Sequence, residues 1–293
     1  LERLSEALSE AWAGFKPSRT SRLLKRHDGS PRGQKWGVVQ LSDLHCNELI
    51  QLETNAYDIN IMADRLADYA FRSGQWLADE GCTDVLIALT GDMLNSDRRD
   101  EEKQAMASSR SIAMVLLAEI LSQFVAQFDM RFNVTVSAII GNEGRINEKA
   151  SFGELQVSDN FDFLGFQFLH VAMKNFPNVK FIGDCATQQV VSMGKKNLLL
   201  IHGNQIGKNI SDSVNKLKAQ YADRGIIIHF VIYGHLHETD ISSSHGRSGS
   251  PAGGNDYSDK QLLLTSTPSQ NAYVVSDERG FEPRVFNLID NSG

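Results

Sequence analysis

Val231-Ile232-Tyr233-Gly234-His235-Leu236-His237 is the stretch on which the reading of this chain turns. The β-rich run Ile226–Tyr233 predicts a strand, and it ends in a glycine followed by two histidines two residues apart. Four earlier β-rich runs end in the same manner. Gly37–Leu41 leads into Asp43-Leu44-His45, and Val85–Leu89 into Gly91-Asp92. Val134–Ile140 leads into Gly141-Asn142-Glu143, and Asn197–Ile201 into His202-Gly203. Helical apolar spacing fills the gaps at about 56–79, 101–128, 159–175 and 211–223. Strands alternating with helices predict an α/β fold with largely parallel sheet built from βαβ units. Ligands in such sheets bind outside the carboxyl ends of the strands, and all five polar motifs fall there. Val179–Ile182 and Gln189–Met193 add short strands. Leu262–Ser266, Ala272–Ser276 and Arg284–Leu288 predict an antiparallel finish with a turn at Asp277–Gly280, while the Ser/Gly-rich stretch Ser242–Ser258 reads as a mobile loop.

Two closely spaced cations need a bridging carboxylate, further oxygens and several imidazoles, with positions left for water and substrate. Asp43, His45, Asp92, Asn142, His202, His235 and His237 supply that mixed nitrogen and oxygen set. On an extended segment, Asp-x-His and His-x-His put both side chains on one side, because the strand period is two. Gly91, Gly141, Gly203 and Gly234 are expected to let the backbone turn tightly beside the ions. Each motif alone also fits a helix cap, a turn or a loop histidine. Five in order, each after a strand, point to a metal site.

The bulk of the chain agrees with an enzyme. Its 293 residues, 41% hydrophobic and 22% charged, can build one large core. Ile112–Phe128 is the longest apolar stretch, and Glu119, Ser122 and Gln123 interrupt it, so it reads as a core helix and no membrane span is expected. Cys46, Cys82 and Cys185 lack metal-binding spacing, and so sparse a set fits a reducing, cytoplasmic setting. Residues 1–36 carry eight Lys/Arg against four acids and read as an N-terminal helix, spaced over 2–13, with a basic connector. Residues 37–293 read as the catalytic domain. The opening Leu1-Glu2-Arg3-Leu4 lacks an initiator Met and suggests a trimmed or processed chain, with a partner engaged through what precedes it. The acidic remainder argues against loose, salt-driven nucleic-acid binding, yet suits a site that holds cations.

The order D-x-H, GD, GN, HG, GHxH resembles the calcineurin-like metallophosphoesterase superfamily over about residues 37–240. That resemblance implies a four-layer αββα sandwich that hydrolyses phosphate esters with two divalent ions, Mn²⁺ foremost and Fe or Zn²⁺ as alternatives. It implies Asp43, His45, Asp92 and His237 on the first ion, Asn142, His202 and His235 on the second, and Asp92 bridging. It also implies a homodimer. Gly91-Asp92-Met93-Leu94-Asn95 departs from the GDxVDRG of serine/threonine protein phosphatases, and Asn95 stands where purple acid phosphatases have a metal-bound Tyr. Together with Val231–His237, it looks more like the nuclease subunits of DNA double-strand-break repair complexes. Gly253–Ser258 with Ser269-Gln270-Asn271 is similar to phage-encoded DNA repair exonucleases. A DNA nuclease or exonuclease is therefore the expected activity. A cyclic- or dinucleotide phosphodiesterase and a catalytically weak metal-binding scaffold, as in the retromer subunit of this fold, are the alternatives.

One residue departs from that pattern. The superfamily usually has His after the third-motif Asn, where it protonates or stabilises the leaving oxygen, and Glu143 stands there. A carboxylate beside two dications is held charged and cannot donate a proton. Asn142, Glu143 and His202 are the candidate catalytic residues. Either burial keeps Glu143 protonated, or it pairs with Arg145 or Lys149, or the proton comes from elsewhere, with His245 and His170 as candidates. Arg145, Arg247 and Asn255 are the candidate substrate contacts. Phe161, Phe163, Phe166 and Phe168 read as core.

Overall fold

β1 (Lys35–Leu41) sends its side chains alternately into two separate cores. Val39 and Leu41 pack with helices on one face, while Val38 packs against a second sheet on the other. This two-period alternation, with both faces apolar, gives a layered fold. In the computed structural model, residues 34–98, 100–146, 155–254 and 266–288 are described. The expected helix at 2–13, most of the basic connector, Lys149, Asn255 and most of the Leu262–Ser266 strand lie outside them.

The other strands are β2 (Ile50–Gln51), β3 (Ala56–Tyr57), β4 (Asp84–Leu89), β5 (Asn133–Ala138), β6 (Val179–Phe181), β7 (Gln188–Met193), β8 (Lys196–Ile201), β9 (Phe230–Tyr233), β10 (Asp240–Ile241), β11 (His245–Arg247), β12 (Ser269–Ser276) and β13 (Gly280–Asn287). The helices are α1 (Ile59–Asp79), α2 (Asp100–Gln104), α3 (Arg110–Asp129), α4 (Leu155–Ser158), α5 (Phe161–Ala172) and α6 (Ile210–Ala222). One sheet runs β13-β12-β1-β4-β5-β6, and the other runs β10-β11-β9-β8-β7. The run β1-β4-β5-β6 is parallel and so is β11-β9-β8, whereas β12, β13, β7 and β10 pair antiparallel. Both sheets are thus mixed: β12 and β13 form the predicted antiparallel finish, while β7 and β10 add antiparallel pairs that the sequence does not suggest. Leu198, Leu200 and Ile232 face the first sheet, and Leu199, Ile201 and Val231 face Val214 and Leu217 of α6. With Met114, Leu117, Phe124 and Phe166 of α3 and α5 covering the outer face of the first sheet, the four layers are αββα, as expected.

Two boundaries depart from the sequence reading for local reasons. The helix expected at 101–128 breaks after Gln104, because the chain there turns to bond the segment that follows Asp43-Leu44-His45: Leu49 N–H donates to Ala105 O at 2.8 Å and Ala107 N–H to Asn47 O at 2.7 Å. Ser109 then caps α3, its hydroxyl accepting from Ile112 N–H. The β9 strand begins only at Phe230, since Gly225, at φ 78°, closes α6 and Ile226 N–H donates back to Tyr221 O. Ser242–Ser258 is no mobile loop over its described part, because it carries β10's partner β11, and Ser248, Ser250 and Ala252 are buried. By length and composition α3 could cross a membrane, yet Met114, Leu117, Leu121, Phe124 and Phe128 are buried in the core between it, α1, α5 and the first sheet.

Leu200 is fully buried between the sheets. Leu200→Ala should lower the unfolding free energy by about 2–5 kcal/mol, read from the urea midpoint.

Candidate metal centre

The strands place the five motifs at one edge of the sandwich, and the seven expected ligands converge there. Asp43, His45 and His237 have ligand atoms within 4.8 Å of one another, and so do Asp92, His202 and His235. Asp43 and Asp92 are almost wholly shielded from water. The pleat is not what aims these side chains. Among the described residues, the non-glycine positions with positive φ are Asp43 (53°), His45 (43°), Asp92 (55°), His235 (73°) and His237 (57°). All five belong to the motifs, and each left-handed residue of this kind costs of order 1–3 kcal/mol unless its surroundings impose it.

Those surroundings are backbone contacts between motifs. Asp43 N–H donates to Gly91 O at 3.0 Å and His45 N–H to Asp92 O at 3.1 Å. His235 N–H donates to both Asp43 carboxylate oxygens at 3.0 Å, and Ser42 Oγ–H donates to Asp43 Oδ2 at 2.6 Å. A Cβ on Gly141 would fall on the Asp92 carboxylate, and one on Gly234 on Ser42 Oγ and Asp43 Oδ2. Glycine at these two places supplies room, whereas Gly91 and Gly203 supply the positive φ.

His202 shows the logic of the second group. Its Nδ1 lies 2.8 Å from Thr90 O, so Nδ1–H donates there and Nε2 turns to Asp92 Oδ2 at 2.9 Å and Asn142 Oδ1 at 3.0 Å. Three acceptors thus face one another unless a proton or a cation sits among them. In the first group His45 Nε2 and His237 Nε2 are 3.1 Å apart, His237 Nε2 is 3.5 Å from Asp43 Oδ1, and His45 Nδ1 is buried with no hydrogen-bond partner. The donor set therefore fits two small cations, with imidazole and carboxylate in each. Asp92 groups with His202 and His235, and its Oδ1 accepts Glu143 N–H at 2.7 Å. A bridge from Asp92 to the first ion would use a carboxylate already engaged on both oxygens.

Charge follows the same pattern. Burial pushes the Asp43 carboxyl up, but the hydrogen bond and charge of His237 outweigh it, and the group sits below the usual carboxylate range. Burial likewise raises Asp92, yet His202 holds it well below that range. Burial lowers His202, and Asp92 more than reverses this, to about 10. Burial also lowers His237, whose hydrogen bond to Asp43 raises it overall, whereas His235 is lowered by burial and by His202.

Several residues hold the site in a role that the sequence does not assign to them. Asp162, buried on the first turn of α5, accepts three backbone N–H groups: Gly141 at 2.7 Å, Met93 at 2.9 Å and Asp92 at 3.1 Å. Burial and the charge of Asp92 raise its carboxyl to about 6. Gln270 grips Ser42 at both ends, accepting its N–H at 2.8 Å and donating to its carbonyl at 3.1 Å, and Ser250 Oγ–H donates to Asp43 O. Arg110 donates to Glu143 O at 2.8 Å and lies over the Phe161 ring. An N-cap reading at Asn160, which accepts from Asp162 N–H, was the one local signal that could have led to Asp162.

Other expectations are revised. Glu143 pairs with Arg98, at 3.0 Å, and not with Arg145. His245 sits two residues back from the strand end, paired with Val231, and its Nδ1 is engaged by Ser242 and Ser244. His170 stacks on Phe181 in the last turn of α5, at the opposite end of that helix from Asp162. Neither joins the cluster. Arg247 donates from Nε to Glu238 O at 2.7 Å and braces the segment after His237. Arg145 lines a cleft of about 250 Å³ with Ile140, Gly141, Gln156, Asn204 and Gln205. Phe166 is core, and Phe161, Phe163 and Phe168 pack against it partly buried.

No protein-family model and no curated protein matches this chain. Solved structures do. A conserved uncharacterized protein of Streptococcus pneumoniae, titled a predicted phosphoesterase, is 11% identical with a TM-score of 0.37 over 88% of this chain and 92% of that one. Yfce, a phosphoesterase from E. coli, is 13% identical with a TM-score of 0.36 over 87% and 100%. Vacuolar Protein Sorting 29 from Cryptosporidium parvum is 16% identical with a TM-score of 0.36 over 87% and 98%. At such distances the likeness carries no functional weight, and the site is read from its own geometry.

A cation must displace the proton that Asp92 helps His202 keep up to about pH 10. Divalent-ion affinity should therefore rise with pH below that value, with proton release detected by calorimetry in buffers of different ionisation enthalpy. Asp162→Asn, which sets an NH₂ against backbone N–H groups, should weaken binding by roughly tenfold or more in the same titration.

Proposed function

We propose that this chain is a two-metal phosphoesterase whose natural substrate is a phosphodiester in nucleic acid. The observation that carries this reading is the pair of His₂Asp groups side by side at the strand ends, with every member but His202 held in left-handed backbone. Divalent ions in such a pair activate water and neutralise charge developing on phosphoryl oxygens. Mn²⁺ is the ion we expect from the family resemblance alone, and the mixed imidazole and carboxylate donors equally suit Fe or Zn²⁺. The chain itself supplies orientation. Thr90 fixes the His202 tautomer, Ser42 and His235 N–H hold the Asp43 carboxylate, and Asp162 joins the loops of Asp92 and Asn142. The cleft carrying Arg145 opens from Gly141 and Asn204, next to Asn142 and His202, and its guanidinium and side-chain amides suit a phosphate and a base edge.

A metal-binding scaffold with weak turnover is favoured by one observation. Glu143 is occupied by Arg98 and Asn142, and neither His170 nor His245 stands in for a proton donor.

Hydrolysis of bis(p-nitrophenyl) phosphate and of end-labelled single- and double-stranded DNA with Mn²⁺ tests the reading. Loss of a ligand in His235→Ala should cost at least the roughly 100-fold that loss of a supporting partner can cost. Failure of every substrate although ions bind would leave the scaffold. Competition by cyclic dinucleotides but not by DNA or RNA would shift the substrate to the small-molecule class. Arg145→Ala should raise KM for DNA several-fold and leave turnover of bis(p-nitrophenyl) phosphate near the wild-type value.

A further inference from the structure

We propose that Glu143 is a positioning residue that sets which end of the Asn142 amide faces the second ion site. The inference rests on the two-metal reading and gives Glu143 a role other than proton donation. Asn142 Nδ2 donates to Glu143 Oε1, which leaves Asn142 Oδ1 turned to the cluster, 3.0 Å from His202 Nε2. A carboxylate offers only acceptors, so it selects the NH₂ end of the amide and rejects the oxygen end. With the amide reversed, two N–H donors would point at the imidazole and at any cation beside it.

Glu143 is itself fixed from three sides. Arg98 donates to its Oε2 at 3.0 Å, its own N–H donates to Asp92 Oδ1 at 2.7 Å, and its carbonyl accepts from Arg110 at 2.8 Å. Arg98 is braced in turn, its Nε donating to Ser96 Oγ at 2.7 Å. The Arg98 and Glu143 side chains retain 22% and 20% of their exposure, so solvent screens the pair and its worth lies in geometry more than in Coulomb energy. The chain of contacts runs Ser96, Arg98, Glu143, Asn142, and ends on the face that His202 and Asp92 share.

Calorimetric titration of the full chain with Mn²⁺ tests this, using wild type, Glu143→Ala, Asn142→Asp and the double variant. Glu143→Ala should weaken the second ion about 10- to 100-fold. In the Asn142→Asp background both side-chain oxygens are acceptors and orientation no longer matters, so Glu143→Ala should cost nothing there and should relieve the repulsion of two facing carboxylates. Glu143→Gln, whose single oxygen is claimed by Arg98 and whose NH₂ then faces Asn142, should lose affinity as the alanine variant does and serves if that variant does not fold. Equal losses in both backgrounds would overturn the proposal, because loop support alone predicts them. Two ions bound as tightly by Glu143→Ala as by wild type would also overturn it while leaving the proposed function standing. A wild type that binds no ion removes both.

Discussion

Two carboxylates, Asp43 and Asp92, lie where water hardly reaches them, at the edge where the two sheets meet. Removing an ionised group from water costs several kcal/mol unless partners return it, and both groups sit below the usual carboxylate range, which states that they are returned as anions. The partners are specific. Asp43 takes a hydroxyl, a backbone N–H and an imidazole, and Asp92 takes an imidazole and a backbone N–H. His202, raised to about 10 despite full burial, measures how strongly this pocket calls for positive charge. Protons can supply that charge, and so can divalent ions. The four histidines around the two carboxylates suit ions better, since neutral imidazoles aim lone pairs inward.

The same demand explains the backbone. To bring both carboxylates and four rings to one edge, the chain must reverse within two or three residues after each strand, and at Asp43, His45, Asp92, His235 and His237 it does so in left-handed conformations. Strain of that kind persists only where the rest of the fold over-determines it. Here the fixing groups come from far along the chain: Asp162 from α5, Gln270 from β12 and Ser250 from the segment after β11. Gln40 adds a crosslink beneath, donating to Thr90 Oγ1 and to Tyr233 O while accepting from Tyr273 O–H, so the two sheets are held in register just below the motifs.

The candidate ligands were legible because they follow strands in a fixed order, and strand periodicity survives in a single sequence. Their mode of convergence was not, because the sequence shows alternation and cannot show φ. The supporting groups were not legible for a different reason. Asp162, Gln270 and Asn271 bond to backbone, so even where Gln270 and Asn271 fall in a recognisable segment no side-chain pattern gives their role, and partners of the three lie 21, 228 and 24 residues away. The break at 105–109 was hidden for the same cause: Ala105 and Ala107 favour helix locally, and only pairing with Asn47 and Leu49 overrides them. Glu143 stands out as a departure, but its partner Arg98 precedes it by 45 residues, and proximity in sequence offers Arg145 and Lys149 instead.

The neutral pair Arg98–Glu143 bears on what a phosphoesterase built this way would cleave well. An alkoxide leaving group gains about 10²–10⁴-fold from a positioned acid. A guanidinium committed to a carboxylate and to Ser96 gives the leaving oxygen little net charge and no proton. On the proposed reaction, departure then depends on the leaving group's own acidity and on the ions. Rate should fall steeply as leaving-group pKa rises, and a shallow dependence across a series of aryl and alkyl phosphodiesters would mean that another residue, or water, supplies the proton.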